Sequence, residues 1–311
     1  MKEIGGYFEL EVSAKEPYHS NAIQLNSARN CLRYLIRDLK ITEMWVPRYT
    51  CPVVWDALAK EHCNPRFYSI SEDLLPKEQM EPDSYVLYTN YFGICGRQVQ
   101  KLAKIYRNLI IDYAQSFFSL PAGMAAFYSP RKFFGVPDGG YLTGKNVTGN
   151  VKVPCGSSYR RFEHLLKRVE LSAQEGYENF KYNEAVLDHE PPRQMSPLTE
   201  KLLAGIDYKY CAKKRRENYQ YLDALLGDMN EYQGRSLQTE SVPMIYPFLI
   251  KSIGLREKLL KRKIFTAVYW TGQTDGGYGS LLEKFLIPLP VDQRYSLDDM
   301  QYLAEQIKNL M

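Results

Sequence analysis

Ile110-Ile111-Asp112-Tyr113-Ala114-Gln115, followed by Ser129-Pro130-Arg131-Lys132-Phe133-Phe134-Gly135-Val136-Pro137-Asp138-Gly139-Gly140, is the stretch from which the rest of the chain is read. Its first part is an apolar run that ends in an acid. Ligands of open α/β sheets sit outside the carboxyl ends of the strands. A carboxylate placed there can hold the nitrogen of an aromatic ring in its protonated form, which makes the ring an electron sink. Lys132 follows among phenylalanines. A lysine in an apolar setting loses part of its preference for charge, and its neutral amine can attack an aldehyde. The Asp138-Gly139-Gly140 turn reads as a place where backbone passes close beneath a planar ligand, because glycine carries no Cβ. Singly these residues say little: an acid ending a strand is more often a turn residue or cap, and a loop lysine is more often solvated. The combination carries the argument.

Outward from this stretch the chain alternates short apolar runs with helical patterns. A helix capped by Asn26 or Ser27 runs through Arg37, with Cys31, Leu32, Leu35, Ile36 and Leu39 on one face. Strands are expected at Met44–Pro47, Arg66–Ile70, Tyr85–Thr89, Asn108–Asp112, Ala125–Ser129 and Gly140–Thr143, with helices at Pro52–Lys60 and Arg97–Tyr106. Strands alternating with helices imply a parallel-rich sheet covered on both faces. Ser157 to Gln194 is polar and partly helical, and Pro191-Pro192 breaks it. A long helix over Ser196–Leu226 then connects to a small α+β unit. That unit comprises strand Pro243–Ile250, helix Leu255–Lys261, strands Ile264–Trp270 and Phe285–Leu289, and a final helix Leu297–Leu310 with an apolar stripe. The expected organisation is a large α/β domain over residues 1–200 and a small C-terminal α+β domain over 201–311.

Composition narrows the function classes. With 45% apolar and 24% charged residues the 311-residue chain is an ordinary globular one, and a net charge of +4 lacks the clustered basic bias of a nucleic-acid binder. The one basic run, Lys213-Lys214-Arg215-Arg216, reads as a solvated helix face. Six cysteines, at 31, 51, 63, 95, 155 and 211, form no C-x-x-C pair, so they are expected as small core residues in a reducing compartment. The four histidines, at 19, 62, 164 and 189, are scattered, and no metal site is expected. Met1 to Gly6 holds no apolar signal core, and no apolar run approaches the roughly 20 residues that span a bilayer. No membrane and no nucleic-acid partner is expected, and the expected location is the cytoplasm.

Asp112-x-Ala114-Gln115, then Ser129-x-x-Lys132, then an acid and Gly139-Gly140, resembles the DegT/DnrJ/EryC1/StrS family of sugar aminotransferases. Other segments agree in the same order. Leu25-Asn26-Ser27-Ala28-Arg29-Asn30 resembles the family's phosphate-binding turn, and Val46-Pro47-Arg48-Tyr49-Thr50 its Val-Pro-Ser-x-Thr segment. Asn90-Tyr91-Phe92-Gly93 is similar to its His-x-Tyr-Gly loop, Arg193-Gln194-Met195-Ser196 to the start of its connecting helix, and Ile287-Pro288-Leu289-Pro290 to its C-terminal signature.

The resemblance implies a fold-type I transferase using pyridoxal 5'-phosphate, with a large mixed-sheet α/β domain and a small C-terminal α+β domain. By the same resemblance Lys132 forms a Schiff base with the cofactor and later moves the proton, Asp112 pairs with the ring nitrogen, and Gln115 contacts the ring or its 3'-oxygen. Ser27, Ala28 and Arg29 hold the phosphate, with Ser129 as a further phosphate contact and Tyr49 as the ring-stacking aromatic. The implied reaction moves an amino group from glutamate or glutamine to a keto group of a nucleotide-linked sugar, in a homodimer with shared active sites, in surface-polysaccharide or glycoconjugate synthesis. The sequence departs from the family pattern at Phe127, where a serine is usual, and at Cys51, where the stacking aromatic is usual; the partner subunit's phosphate-binding asparagine has no counterpart near Pro192. Two rival readings follow: a sugar dehydratase on the same cofactor, which in the family carries histidine in place of Lys132, and a descendant that binds a ligand or partner without turnover.

Overall fold

A computed structural model of the chain describes residues 4–13, 15–149, 151–273 and 276–311. The Met1–Glu3 part of the reading of the N-terminus lies outside them. The organising element is a seven-stranded mixed sheet built from β1 (Ile23–Leu25), β2 (Glu43–Pro47), β3 (Asn64–Tyr68), β4 (Tyr85–Thr89), β5 (Asn108–Tyr113), β6 (Ala125–Tyr128) and β7 (Gly140–Gly144), in the order β1-β7-β6-β5-β4-β2-β3. Strands β2 to β6 run parallel, whereas β7 runs antiparallel to both β6 and β1.

Strand β5 reads as an unbroken apolar run because both of its faces are covered. Side chains alternate across a sheet. Ile110 packs with one face of the sheet on α1 (Ala28–Asp38) and α2 (Pro52–Lys60), while Leu109, Ile111 and Tyr113 join the other face with α3 (Gly96–Ala103). That second cluster does not stop at the sheet. It continues through α7 (Tyr208–Leu226) into the hairpin of β8 (Ile245–Leu249) and β9 (Leu286–Pro290), and into α10 (Leu297–Leu310). The C-terminal elements therefore share one apolar core with the sheet.

Between β7 and α7 lie α4 (Glu163–Glu170), α5 (Tyr177–His189) and α6 (Pro197–Ala204). Helix α5 is pinned over the N-terminus of α1 by side chains: Arg29 pairs with Asp188, Arg131 with Glu184, and Asn183 donates to the Pro137 carbonyl at 2.8 Å.

Two expectations are corrected. The long helix over Ser196–Leu226 is two helices, α6 and α7. Gly205 marks the break: any side chain there would overlap Val12, which packs on it, and Asp207 restarts the helix by accepting the Tyr210 N–H at 2.9 Å. Ile264–Trp270 is not a strand. The β8–β9 hairpin opposes Pro247 to Pro288 and ends in Pro290, and proline offers no N–H to extend a ladder to a third strand. Tyr278–Phe285, for which the sequence suggests no element, is helix α9, with Gly277 at its N-cap. Helix α8 (Leu255–Lys261) and α10 stand at the residues the periodicity gave.

Candidate active site

The register of four strands brings the quoted residues to one edge of the sheet. Tyr113 lies opposite Tyr128, Tyr128 opposite Tyr141, and Gly140 opposite Leu25. The ends of β5, β6 and β1 and the start of β7 therefore share an edge, and Asp112, Ser129, Ser27 and Gly139 lie along it. This is the carboxyl edge of the parallel strands, where open α/β sheets take ligands.

Asp112 is 6% exposed and shares the strand face of Ile110. Its Oδ1 accepts the Ala114 N–H at 2.7 Å, and Oδ2 accepts no hydrogen bond from the described residues. Burial pushes its carboxyl above the ordinary range, opposed by the charge of Lys132 and by the Ala114 amide. Lys132 ends a 3-10 turn, Pro130–Lys132, that follows β6 directly. The turn lifts the side chain out of the core, so Lys132 is exposed, with no hydrogen bond or ion pair among the described residues, rather than set in apolar surroundings as expected. It nevertheless lies close enough for its charge to act on Asp112.

Gln115 clamps the Asn90–Gly93 loop. Its Oε1 accepts the N–H of Phe92 at 2.7 Å, and Phe92 is held at φ 60, a left-handed conformation that bulky residues avoid. The Asn90 N–H donates to the Asp112 carbonyl at 3.0 Å, so loop and strand end are stitched together. Gln115 Nε2 is buried without an acceptor among the described residues. An orphaned donor of this kind costs about 1–3 kcal/mol, and it is available to an incoming oxygen.

Ser27 caps α1, its hydroxyl accepting the Asn30 N–H at 3.2 Å. Ala28 and Arg29 open the helix, where amides lack intrahelical acceptors and favour anions. The Arg29 guanidinium, however, is paired with Asp188 on α5, which leaves its charge committed within the protein. The glycine pair has a different task from the one expected. Ser27 bridges Gly139, the Gly139 N–H donates to the Asn26 carbonyl at 2.8 Å, and a Cβ on Gly140 would overlap the Ser27 carbonyl carbon and the Ala28 nitrogen. The close approach is between two backbone segments of the protein, which locks the start of α1 against β7.

Ser129 is buried at the head of the lysine turn, and its carbonyl accepts the Lys132 N–H at 3.4 Å. Tyr49 is 1% exposed, with its hydroxyl on the Tyr269 carbonyl at 2.9 Å and its ring stacked on Tyr91 and edge-on to Trp270. The structure thus encloses Tyr49 among aromatic rings, leaving no open face for a ligand to stack on. Asp138 accepts from the hydroxyls of Ser196 and Thr199 and so holds the start of α6. A cleft of about 1040 Å³ between α4–α5 and α8–α10, lined by Arg168, Tyr177, Phe265 and Tyr295 among others, contains none of these residues.

Sequence reasoning missed Arg131, which ties the lysine turn to α5, and Arg215, which is buried. For Arg215 the signal existed: Cys211, Arg215, Tyr219, Leu222 and Leu226 follow one another at helical spacing.

These elements, in this order, make up the fold of type I pyridoxal-phosphate-dependent transferases. Solved structures share it. The chain superposes on Spr1654 of Streptococcus pneumoniae, named as a sugar aminotransferase, with TM-score 0.66 and 14% identity, covering 96% of this chain and 91% of that one. It superposes on a DegT DnrJ EryC1 StrS aminotransferase from Brucella abortus with TM-score 0.60 and 15% identity, covering 93% and 85%. It also matches GDP-4-keto-6-deoxymannose-3-dehydratase (ColD) with bound GDP-perosamine, with TM-score 0.63, 16% identity, and coverage of 92% and 88%. No family model and no curated protein matches the sequence.

Proposed function

We propose that this chain is a pyridoxal-phosphate-dependent aminotransferase that moves an amino group from glutamate or glutamine to a keto group of a nucleotide-linked sugar. The observation that carries the reading is Asp112: a buried carboxylate at the carboxyl edge of the sheet, with one oxygen on the Ala114 amide and the other without a hydrogen bond among the described residues, in the field of Lys132. The residues present fit the cofactor. Asp112 would pair with its ring nitrogen, Gln115 Nε2 offers a buried, unused donor, and the opening amides of α1 favour its phosphate. When bound, pyridoxal phosphate supplies an aldehyde and an electron-withdrawing ring. Lys132 Nζ would hold that group and then move the proton at the sugar carbon that receives nitrogen.

Sugar substrates are supported by the names of the similar structures, and a nucleotide carrier by the GDP-sugar in one of them. A homodimer with shared sites, a cytoplasmic location, and a functional division near residue 200 complete the reading. Lys132 itself favours transfer over dehydration. The enclosure of Tyr49 and the commitment of Arg29 to Asp188 favour a second reading, a chain that binds without turnover.

A half-reaction separates the two. Protein loaded with pyridoxal phosphate and given glutamate or glutamine should release the corresponding keto acid, and Lys132→Ala should release none. Release by the variant at the wild-type rate, or no release by the wild type from either donor, contradicts the aminotransferase.

A further inference from the structure

Arg215 is an unusual side chain for its place. It sits on α7 within a run of four basic residues, three of which keep to the outside of the helix or its rim, yet it is only 1% exposed. Burial lowers its guanidinium to about 10, with Asp292 the main opposing charge. No carboxylate among the described residues lies within ion-pair distance of it. Burying a charge in that way is expensive unless every donor is used.

The donors are used on one target region. Arg215 Nε donates to Gln293 Oε1 at 2.9 Å, Nη1 to the carbonyls of Pro243 and Met244 at 3.3 and 3.2 Å, and Nη2 to the carbonyl of Phe133 at 3.4 Å. Gln293 Nε2 donates to that same Phe133 carbonyl at 2.9 Å, and the guanidinium lies 4.4 Å from the centre of the Phe133 ring. Phe133 is the residue after Lys132, and its N–H closes the lysine turn on the Pro130 carbonyl at 2.9 Å. The residue that follows the lysine is thus gripped at its carbonyl by two side chains and at its ring by a cation. The same bracket reaches the other side of the site, because the Met244 N–H donates to the carbonyl of Phe92, the residue Gln115 clamps.

We infer that Arg215, with Gln293, is a positioning residue: it fixes the turn that presents Lys132 against the sheet edge of Asp112 and couples that turn to the Gln115 loop. The inference rests on the reading of Lys132 as the lysine that holds pyridoxal phosphate. It differs from a purely structural role in one respect. Loosening the bracket should change Lys132 in a chain that is still folded, more than it changes lysines elsewhere.

The test uses Arg215→Met, Arg215→Lys and the milder Gln293→Leu, each first shown to be folded by circular dichroism and thermal melting. In cofactor-free protein, Lys132 labelling by acetic anhydride is followed against pH by mass spectrometry, with exposed Lys213 as internal reference. In loaded protein, kcat (the saturating rate of single-turnover keto-acid release from glutamate or glutamine) and KM (the donor concentration at half that rate) are measured separately. Misplacing a reacting group by a fraction of an ångström costs about tenfold or more in rate. Folded Arg215→Met and Gln293→Leu should accordingly show a labelling profile of Lys132 displaced from wild type with Lys213 unchanged, and kcat reduced about tenfold with donor KM little altered. Arg215→Lys, which keeps the charge but not the planar fork, should recover part of the loss. If Arg215→Met does not fold, Gln293→Leu decides. Unchanged Lys132 labelling and unchanged kcat in the folded variants overturn the inference. Wild type that fails to take pyridoxal phosphate on Lys132 overturns the reading beneath it instead, so the two failures are distinguishable.

Discussion

Asp112 is costly to keep. Its folded-state carboxyl is raised above the ordinary value of 3.8, chiefly by burial. A carboxyl whose pKa is raised on folding binds more protons in the folded chain than in the unfolded one. It therefore favours the fold below 3.8 and loses that contribution as pH climbs through the raised value. At neutral pH, Asp112→Asn should leave the cofactor-free chain as stable as wild type or more so, because an amide can keep the Ala114 hydrogen bond without a buried charge. The advantage should vanish in acid, while cofactor loading is lost. Thermal melts of the two chains at pH 7.5 and pH 3.5, with and without pyridoxal phosphate, check this. His19 works the opposite way. Its ring lies 4.1 Å from that of Tyr128 and its Nε2–H donates to the Phe117 carbonyl at 2.8 Å, and burial lowers it to about 4. A base depressed on folding supports the fold fully above its unfolded pKa near 6.5 and withdraws that support as pH falls towards 4. The contribution is up to about 3 kcal/mol. His19→Phe should flatten the loss of stability between pH 6.5 and 4, measured by urea unfolding at several pH values.

At the scale of elements, the contact between the start of α1 and the start of β7 does most to shape the site. Gly140 sits so close to the Ser27–Ala28 peptide that any side chain must push the two apart. Gly140→Ala should destabilise the chain by roughly 2–4 kcal/mol, in the range of forced overpacking or more. It should also weaken phosphate binding at the α1 amides, read as a lower affinity for inorganic phosphate by titration. A change confined to stability, with phosphate affinity intact, would remove α1 from the site. The break between α6 and α7 belongs to the same scale. Gly205 and the Asp207 cap, which reaches only to Tyr210, are local signals of that break, whereas the packing of Val12 against Gly205 is a contact that only the fold supplies.

For the whole molecule, what could be read in advance was what repetition makes visible. The buried strands are continuous apolar runs, α10 carries a clear stripe, and the order of strands and helices implied a parallel-rich sheet before any register was known. Asp112 at the end of its strand was legible in that order, whereas β1, which carries Ser27 to the same edge as Gly139, was not expected. What escaped depended on contacts between segments far apart in the chain. Ile264–Trp270 has the composition of a strand, but prolines on the neighbouring hairpin deny it a partner. Tyr49 has the right residue type for ring stacking, but Tyr91 and Trp270 enclose it. Arg215 looked like one more solvated cation because a run of charge was weighed ahead of the helical period that buries it. The single apolar core joining the sheet to α7 and the C-terminal hairpin means that the lysine turn is held from the C-terminal side as well as from its own strand.

The central claim is that Lys132 is the residue that takes pyridoxal phosphate, beside Asp112. The most direct measurement is borohydride reduction of wild-type protein mixed with pyridoxal phosphate, followed by digestion and mass spectrometry of the peptides. The account predicts that the mass of the reduced cofactor appears on the peptide carrying Lys132 and on no other at stoichiometric loading, and that Asp112→Asn loads far less. Stoichiometric label on another lysine, or none on Lys132, would contradict it.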